Sequence, residues 1–343
     1  MRYPILSLLA CFLLPLWSCS GGSDNPDPAD TGVQDAETKG DTAVVPDLAV
    51  PEDVQEEDVP VAQPDTADQE VTPEQWFQLI DGPCDASNRI GHFEVLTGQQ
   101  FLISGELWKF VWFDGSATDQ IDALQENPLI SDFGPCRLYQ MKEGAFCDPP
   151  CGPEEQCTHS AGCVPFPVPQ DLGKVTVTGL TDPVEIDTPK GGLKKYSYYE
   201  FEGDPFLPGS FIEMTAAGLD LPGFTLHGLG VDKPAFTHTE WLLESGVPIE
   251  IEWVPSELPS TIFLWIMADL HGVTPVRLVC ELEDTGAFTI SGEIVAEIFK
   301  YPMLDTAIPA VSLARHTVDS IENKKGCIEF EVASQVVGKM KFE

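Results

Sequence analysis

Ten cysteines punctuate this chain, and their placement limits its fold more than any other feature. Eight lie at positions 84, 136, 147, 151, 157, 163, 280 and 327, while Cys11 and Cys19 sit in the N-terminal segment. An even count in an exported chain predicts a disulfide framework and an oxidising compartment. Four of the eight fall within 147–165, a stretch too short for a hydrophobic core and therefore one that must be stapled. Zinc is the competing reading for Cys147-x3-Cys151-x5-Cys157-x5-Cys163, but His159 is the only histidine nearby and completes no ligand pattern. Spacing alone does not decide connectivity. The expected pairs are Cys84–Cys136, Cys147–Cys157, Cys151–Cys163 and Cys280–Cys327.

The evidence for export is at the N-terminus. Arg2 is followed by an uncharged apolar run from Pro4 to Trp17, which has the layout of a signal peptide. It is shorter than the ~20 apolar residues of a membrane span. Leu16-Trp17-Ser18-Cys19 resembles the lipobox of bacterial lipoproteins, with Leu at −3, a small residue at −1 and the cysteine; Trp17 at −2 departs from the pattern. An ordinary secretory signal cleaved nearby is the alternative. The resemblance implies that residues 1–18 are removed and that Cys19 is lipidated, anchoring the chain to a lipid bilayer through several acyl chains. Ser20 in place of aspartate implies the outer membrane, on its periplasmic or cell-surface side, by the sorting rule of enteric bacteria.

From Ser20 to Pro73 the chain carries 15 acidic residues, one lysine (Lys39) and no aromatic residue. Such a stretch cannot bury enough apolar surface to offset its ordering entropy, so residues 19–73 read as a disordered acidic tether. As a flexible coil it would reach ~40 Å root-mean-square, more with charge repulsion. The formal charge of −38 is not confined there, because residues 74–343 hold 41 acids against 16 bases. That balance excludes nucleic acid as a partner, since phosphate contacts need clustered Lys and Arg. Solubility in saline water is one reading of this charge and divalent-cation binding another; the dispersal of the acids and the lack of an Asp-x-Asp-x-Asp-Gly loop favour the first. The nearest carboxylate group, Asp114, Asp119 and Asp122, fits no EF-hand spacing, and Asp114-Gly115 reads as a turn.

The remainder reads as mainly β. Glu74–Ile80 is compatible with a short helix or a strand. Phe101–Phe113, with Trp108 and Trp112, is strand-like, and Ser116–Glu126 could be helical. Residues 74–146 thus read as a small disulfide-bonded β module, and 147–165 as a Cys-rich clip. Residues 170–343 read as an antiparallel β-sandwich. Short strands recur at 175–177, 195–201, 210–216, 249–253, 261–268, 276–282, 287–290 and 328–332, separated by Gly, Pro and Asp. Alternation puts Ile249, Ile251 and Trp253 on one face and Glu250 and Glu252 on the other. Thr261–Ala268 is apolar on both faces, as a central strand is, which places Trp265 in the core. Gly292–Lys300 reads as a helix with Ile294, Val295 and Ile298 on its apolar side.

Several of these segments carry a family resemblance. The clip, Cys-Asp-Pro-Pro-Cys-Gly from 147 onward, resembles short EGF-like cysteine knots. Together with Gly134-Pro-Cys-Arg-Leu-Tyr139, Gly173-Lys-Val-Thr-Val-Thr-Gly-Leu180, Cys280-Glu-Leu-Glu-Asp-Thr-Gly286 and Gly326-Cys327, it resembles surface lipoproteins of myxobacteria and related marine bacteria. That resemblance implies fold and location and brings no activity with it.

Motifs for a serine nucleophile elbow, a zincin helix, a P-loop or a dinucleotide fold are absent from the sequence. His92, His159, His227, His238, His271 and His316 show no ligand spacing with one another. Arg315-His316 lies near Asp319, but in a strand 316 and 319 face opposite ways, so a surface strand is expected there. A carboxylate-pair hydrolase needs only two acids and is not decided by sequence. Tyr196 and Tyr198 share a face read as core, with Tyr199 opposite. No catalytic residue and no cofactor are assigned. The expectation is a lipid-anchored envelope protein with a non-catalytic structural or interaction role, its partner an envelope protein or a polysaccharide. An exposed stripe of aromatics would favour the polysaccharide.

Overall fold

The computed structural model describes residues 71–101, 106–121, 128–140, 147–158, 161–269, 276–301 and 308–343. The expected signal segment, Cys19, the tether up to residue 70, residues 122–126 of the expected 116–126 helix (Asp122 among them), His159 and His271 lie outside the described residues. The described part of that expected helix is not helical: Ser116 and Ala117 end a strand and Thr118 bridges Pro169.

In chain order the elements are α1 (Pro73–Phe77), β1 (Arg89–Phe101), β2 (Leu107–Ala117), β3 (Leu129–Phe133), β4 (Cys136–Gln140), β5 (Glu155–Thr158) and β6 (Gly162–Pro165). There follow β7 (Val175–Thr178), β8 (Val184–Ile186), β9 (Tyr196–Tyr198), β10 (Phe211–Ala216), β11 (Phe224–Leu229), β12 (Glu240–Leu243) and β13 (Ile249–Glu252). The last are β14 (Thr261–Asp269), β15 (Val276–Glu283), β16 (Ala287–Ile290), α2 (Gly292–Ile298), β17 (Ile308–Glu322) and β18 (Cys327–Phe342). The fold is mainly β, as expected. α1 resolves as a helix because Thr72 and Gln75 form a capping box and Pro73 occupies its first turn.

Ten strands form one sheet in the order β3-β4-β15-β14-β17-β18-β1-β2-β9, with β12 also pairing β18. Its pairings are antiparallel except β1–β18 and β12–β18, which are parallel. A four-stranded antiparallel sheet, β11-β10-β7-β8, packs over one half of its inner face. Phe93, Val95, Phe113, Phe330 and Val332 there meet Val175, Ile212, Met214 and Leu226 in one buried cluster. Over the other half lie the β13–β16 pair and α2. Ile251, Trp253, Ile290, Ile294, Val295 and Ile298 there pack on Ile262, Leu264, Leu278 and Leu313. The alternation of 249–253, the buried side of α2 and the central place of β14 follow expectation.

Four further expectations about the elements and cysteines change. First, the strands of 74–146 do not form a module apart: β1 to β4 share the large sheet with strands drawn from 170–343. Second, that topology changes the disulfides. Cys84 pairs with Cys327 and Cys136 with Cys280, in place of Cys84–Cys136 and Cys280–Cys327. β1 runs beside β18, which brings residue 84 to residue 327, and Cys136 sits directly opposite Cys280 in the β4–β15 register. Cys147–Cys157 and Cys151–Cys163 form as expected and staple the β5–β6 hairpin.

Third, Asp114-Gly115 is not a turn. β2 continues through it, and a Cβ on Gly115 would lie 2.1 Å from the Phe93 ring. The glycine is needed for close packing, with ordinary strand geometry. Fourth, β17 is not a surface strand. It lies between β14 and β18, and Arg315 is 1% exposed. Its inner-face guanidinium donates to Asp284 from Nε (2.6 Å) and Nη2 (3.3 Å), and to the carbonyls of Val254 and Asp232. Asp284 also accepts from the Trp253 indole (2.7 Å) and from Ser260 Oγ and Ser256 N–H (both 3.2 Å). Burial would raise the Asp284 pKa, but the hydrogen bonds from Arg315 and Trp253 and the Arg315 charge hold it below its ordinary value. Asp319, also inward, accepts from the His227 and Asp81 backbone N–H groups, while His316 points outward.

Candidate functional site

The outer face of the large sheet carries a cluster of ionisable groups. Alternation along β1 puts His92 and Glu94 on that face, and alternation along β18 does the same for Glu329 and Glu331. The parallel register then sets His92 beside Glu329 and Glu94 beside Glu331. Like charges directly opposite one another destabilise a sheet, so cations must answer them. His92 Nδ1–H donates to Glu329 Oε1 at 2.9 Å, and Arg89 reaches the same oxygen at 2.5 Å. The backbone N–H of Cys84 donates to Glu329 Oε2 at 3.1 Å. From β17, His316 Nδ1–H donates to Glu331 Oε1 at 2.7 Å. From β2, the Trp112 indole donates to Glu94 Oε1 at 2.7 Å. The remaining nitrogen of His92, Nε2, lies 3.8 Å from Glu94 Oε2 and 3.8 Å from Glu331 Oε2.

The electrostatics follow from these contacts. Burial disfavours the charged form of His92, but hydrogen bonds to Glu329 and Glu94 and the charges of Glu94 and Glu331 outweigh it, raising its pKa to about 10. Burial likewise pushes Glu329 up, and the hydrogen bond and charge of His92, followed by Arg89, bring it down to about 2. Glu331 is lowered because the His316 hydrogen bond and charge, with the His92 charge, exceed its burial cost. Without a bound ion, the cluster is an imidazolium among carboxylates.

Beside it runs an aromatic column. Trp108, Phe110 and Trp112 alternate along β2 with ring centroids 5.1 Å apart in each successive pair. Phe110 lies over Gly98, where a Cβ would come within 2.3 Å of its ring. Trp265, expected in the core, faces outward on β14, half-buried against Phe263. Tyr196 is buried and Tyr198 packs on the same cluster, whereas Tyr199 is exposed, all as alternation implies.

The other sequence candidates do not converge. Asp114 holds Lys195 and Ser197, while Asp119 accepts from the Val168 N–H. His227 pairs with Asp319 and His238 with Glu252, so the described histidines have carboxylate partners, with no serine or cysteine in a nucleophile's place. All eight cysteines from 84 onward are in disulfides, so the grouped sulfurs of Cys147, Cys151 and Cys163 offer no thiolate. Sequence reasoning missed the His92 cluster. Its signal was present as His92-x-Glu94 and Glu329-x-Glu331, two one-faced pairs at strand spacing; the register that joins them is not local. No protein-family model matches the chain, and no curated protein matches it.

Proposed function

We propose that this chain is a lipid-anchored envelope protein of the outer membrane with a non-catalytic interaction role. The observation behind the reading is the use of its cysteines. Every cysteine from 84 to 327 is consumed in four disulfides, which suits an oxidising compartment. Loss of the signal segment would remove Cys11 and leave Cys19, at the end of Leu16-Trp17-Ser18-Cys19, as the thiol for acylation. The acidic stretch that follows would hold the β fold away from the bilayer, with the outer sheet face as its contact surface.

The aromatics on that face favour a polysaccharide as a second reading of the partner, because Trp108 is 39% exposed. Phe110 and Trp112 stack on each other, however, and Phe110 is buried, which leaves Trp108 as the exposed ring of the column. An envelope protein therefore remains the first reading.

The test is fractionation of cells expressing the wild-type chain and Cys19→Ser. The wild type should be in the membrane fraction, with an intact mass that includes acyl chains on residue 19, and the variant should lose both. A mature wild-type chain that is water-soluble, with no acyl mass, overturns the reading.

A further inference from the structure

The geometry points to a divalent transition-metal site on the outer sheet face, with His92 Nε2, Glu94 Oε2 and Glu331 Oε2 as its protein ligands. The three atoms lie within 4.8 Å of one another. The imidazole nitrogen is 3.8 Å from each carboxylate oxygen. Ligands about 2.1 Å from a tetrahedral zinc stand roughly 3.4 Å apart. Small side-chain rotations, with the His92 Nε2 proton released to solvent as the metal–nitrogen bond forms, therefore close the set around an ion.

The supporting shell is already in place. In each ligand residue the other polar atom is held by a different neighbour. Glu329 takes His92 Nδ1–H, and is itself fixed by Arg89 and the Cys84 N–H; the Trp112 indole holds Glu94 Oε1; His316 holds Glu331 Oε1. Carboxylate-oriented histidine and hydrogen-bonded ligand carboxylates are the arrangement that aims first-shell atoms at a metal. In the ion-free chain the His92 imidazolium sits between two carboxylates that the register brings together, the place a bound cation would take. The register sets Glu94 directly opposite Glu331 on neighbouring strands, a pairing that repels.

The donor set selects the ion class. Calcium and magnesium prefer all-oxygen sites, whereas one imidazole with two carboxylates suits zinc and its first-row neighbours. The side chains of His92, Glu94 and Glu331 are 36%, 25% and 21% exposed, so solvent or a partner's donor group can complete the coordination. The other described histidine–carboxylate contacts, His227–Asp319 and His238–Glu252, offer a single pair each. The site does not depend on the membrane anchor.

The test is titration of the purified full-length chain with ZnCl2 by calorimetry, with CaCl2 as the control for weak binding by the dispersed acids. One equivalent of Zn2+ should bind, and His92→Gln or Glu331→Gln should weaken it by tenfold or more. Trp112→Phe keeps all three ligands and should weaken binding about tenfold. X-ray absorption of the wild-type zinc complex should show one imidazole and oxygen donors, a readout that needs no variant. Absence of an imidazole in that spectrum, or zinc affinity unchanged in His92→Gln, overturns the proposal.

Discussion

Replacing Asp284 with asparagine removes the carboxylate that faces the Arg315 guanidinium, in a site where Arg315 and Asp284 side chains are 2% and 7% exposed. The amide retains the shape but not the charge. Arg315 loses two charge-assisted hydrogen bonds, each worth about 1.5–3 kcal/mol, of which the asparagine carbonyl recovers part. Leaving one buried ion without its partner costs about 3–5 kcal/mol, and the two routes agree. For a fold of this size each kcal/mol moves the melting temperature by about 2–4 °C, so Asp284→Asn should melt about 6–20 °C below wild type at pH 7. The sign of the pH dependence follows from the depressed Asp284 pKa. Its contribution is complete above the unfolded value of about 3.9 and is lost as pH falls through the lower folded value. The gap between wild type and Asp284→Asn, followed by thermal melts with disulfides intact, should thus persist from pH 7 to 5 and narrow below 4. Replacing both partners with apolar residues, Asp284→Leu with Arg315→Met, should restore much of the loss. A single variant melting within 2 °C of wild type at pH 7 would refute the reasoning.

Two further outcomes follow from the fold. In the loop-entropy model, removing Cys84–Cys327, which spans 243 residues, should cost about 5 kcal/mol and removing Cys147–Cys157, which spans 10, about 3 kcal/mol; denaturant midpoints of the two double-alanine variants in the reverse order would contradict the topology. Gly115→Val should push into the Phe93 ring, 2.1 Å from its Cβ, and lower stability by about 1–3 kcal/mol, measured by urea unfolding, whereas a surface turn at 114–115 would absorb it without loss.

Local pattern made some elements legible. Ile249, Ile251 and Trp253 declared their face by alternation, and Ile294, Val295 and Ile298 declared that of α2. β17 was illegible for an opposite reason. Its Arg315, His316 and Asp319 read as surface, yet each is satisfied by a partner from far along the chain: Asp284, Glu331 and the His227 backbone. Charge in a strand signals exposure only where no such partner exists, and partners at that separation leave no mark on neighbouring residues. The same limit explains the two changed disulfides and the missed cluster: Cys136–Cys280 rests on β4 pairing with β15, and Cys84–Cys327 and the cluster on β1 lying parallel to β18.

That pairing also has a temporal meaning. The 13 residues of β1 form near the start of the fold, while their partner is the final 16-residue strand. A chain emerging N-terminus first holds β1 without its parallel partner until residues 327–342 are free. Closing so long a loop is the entropically costly step. Assembly of the large sheet is therefore a late event that waits for β18.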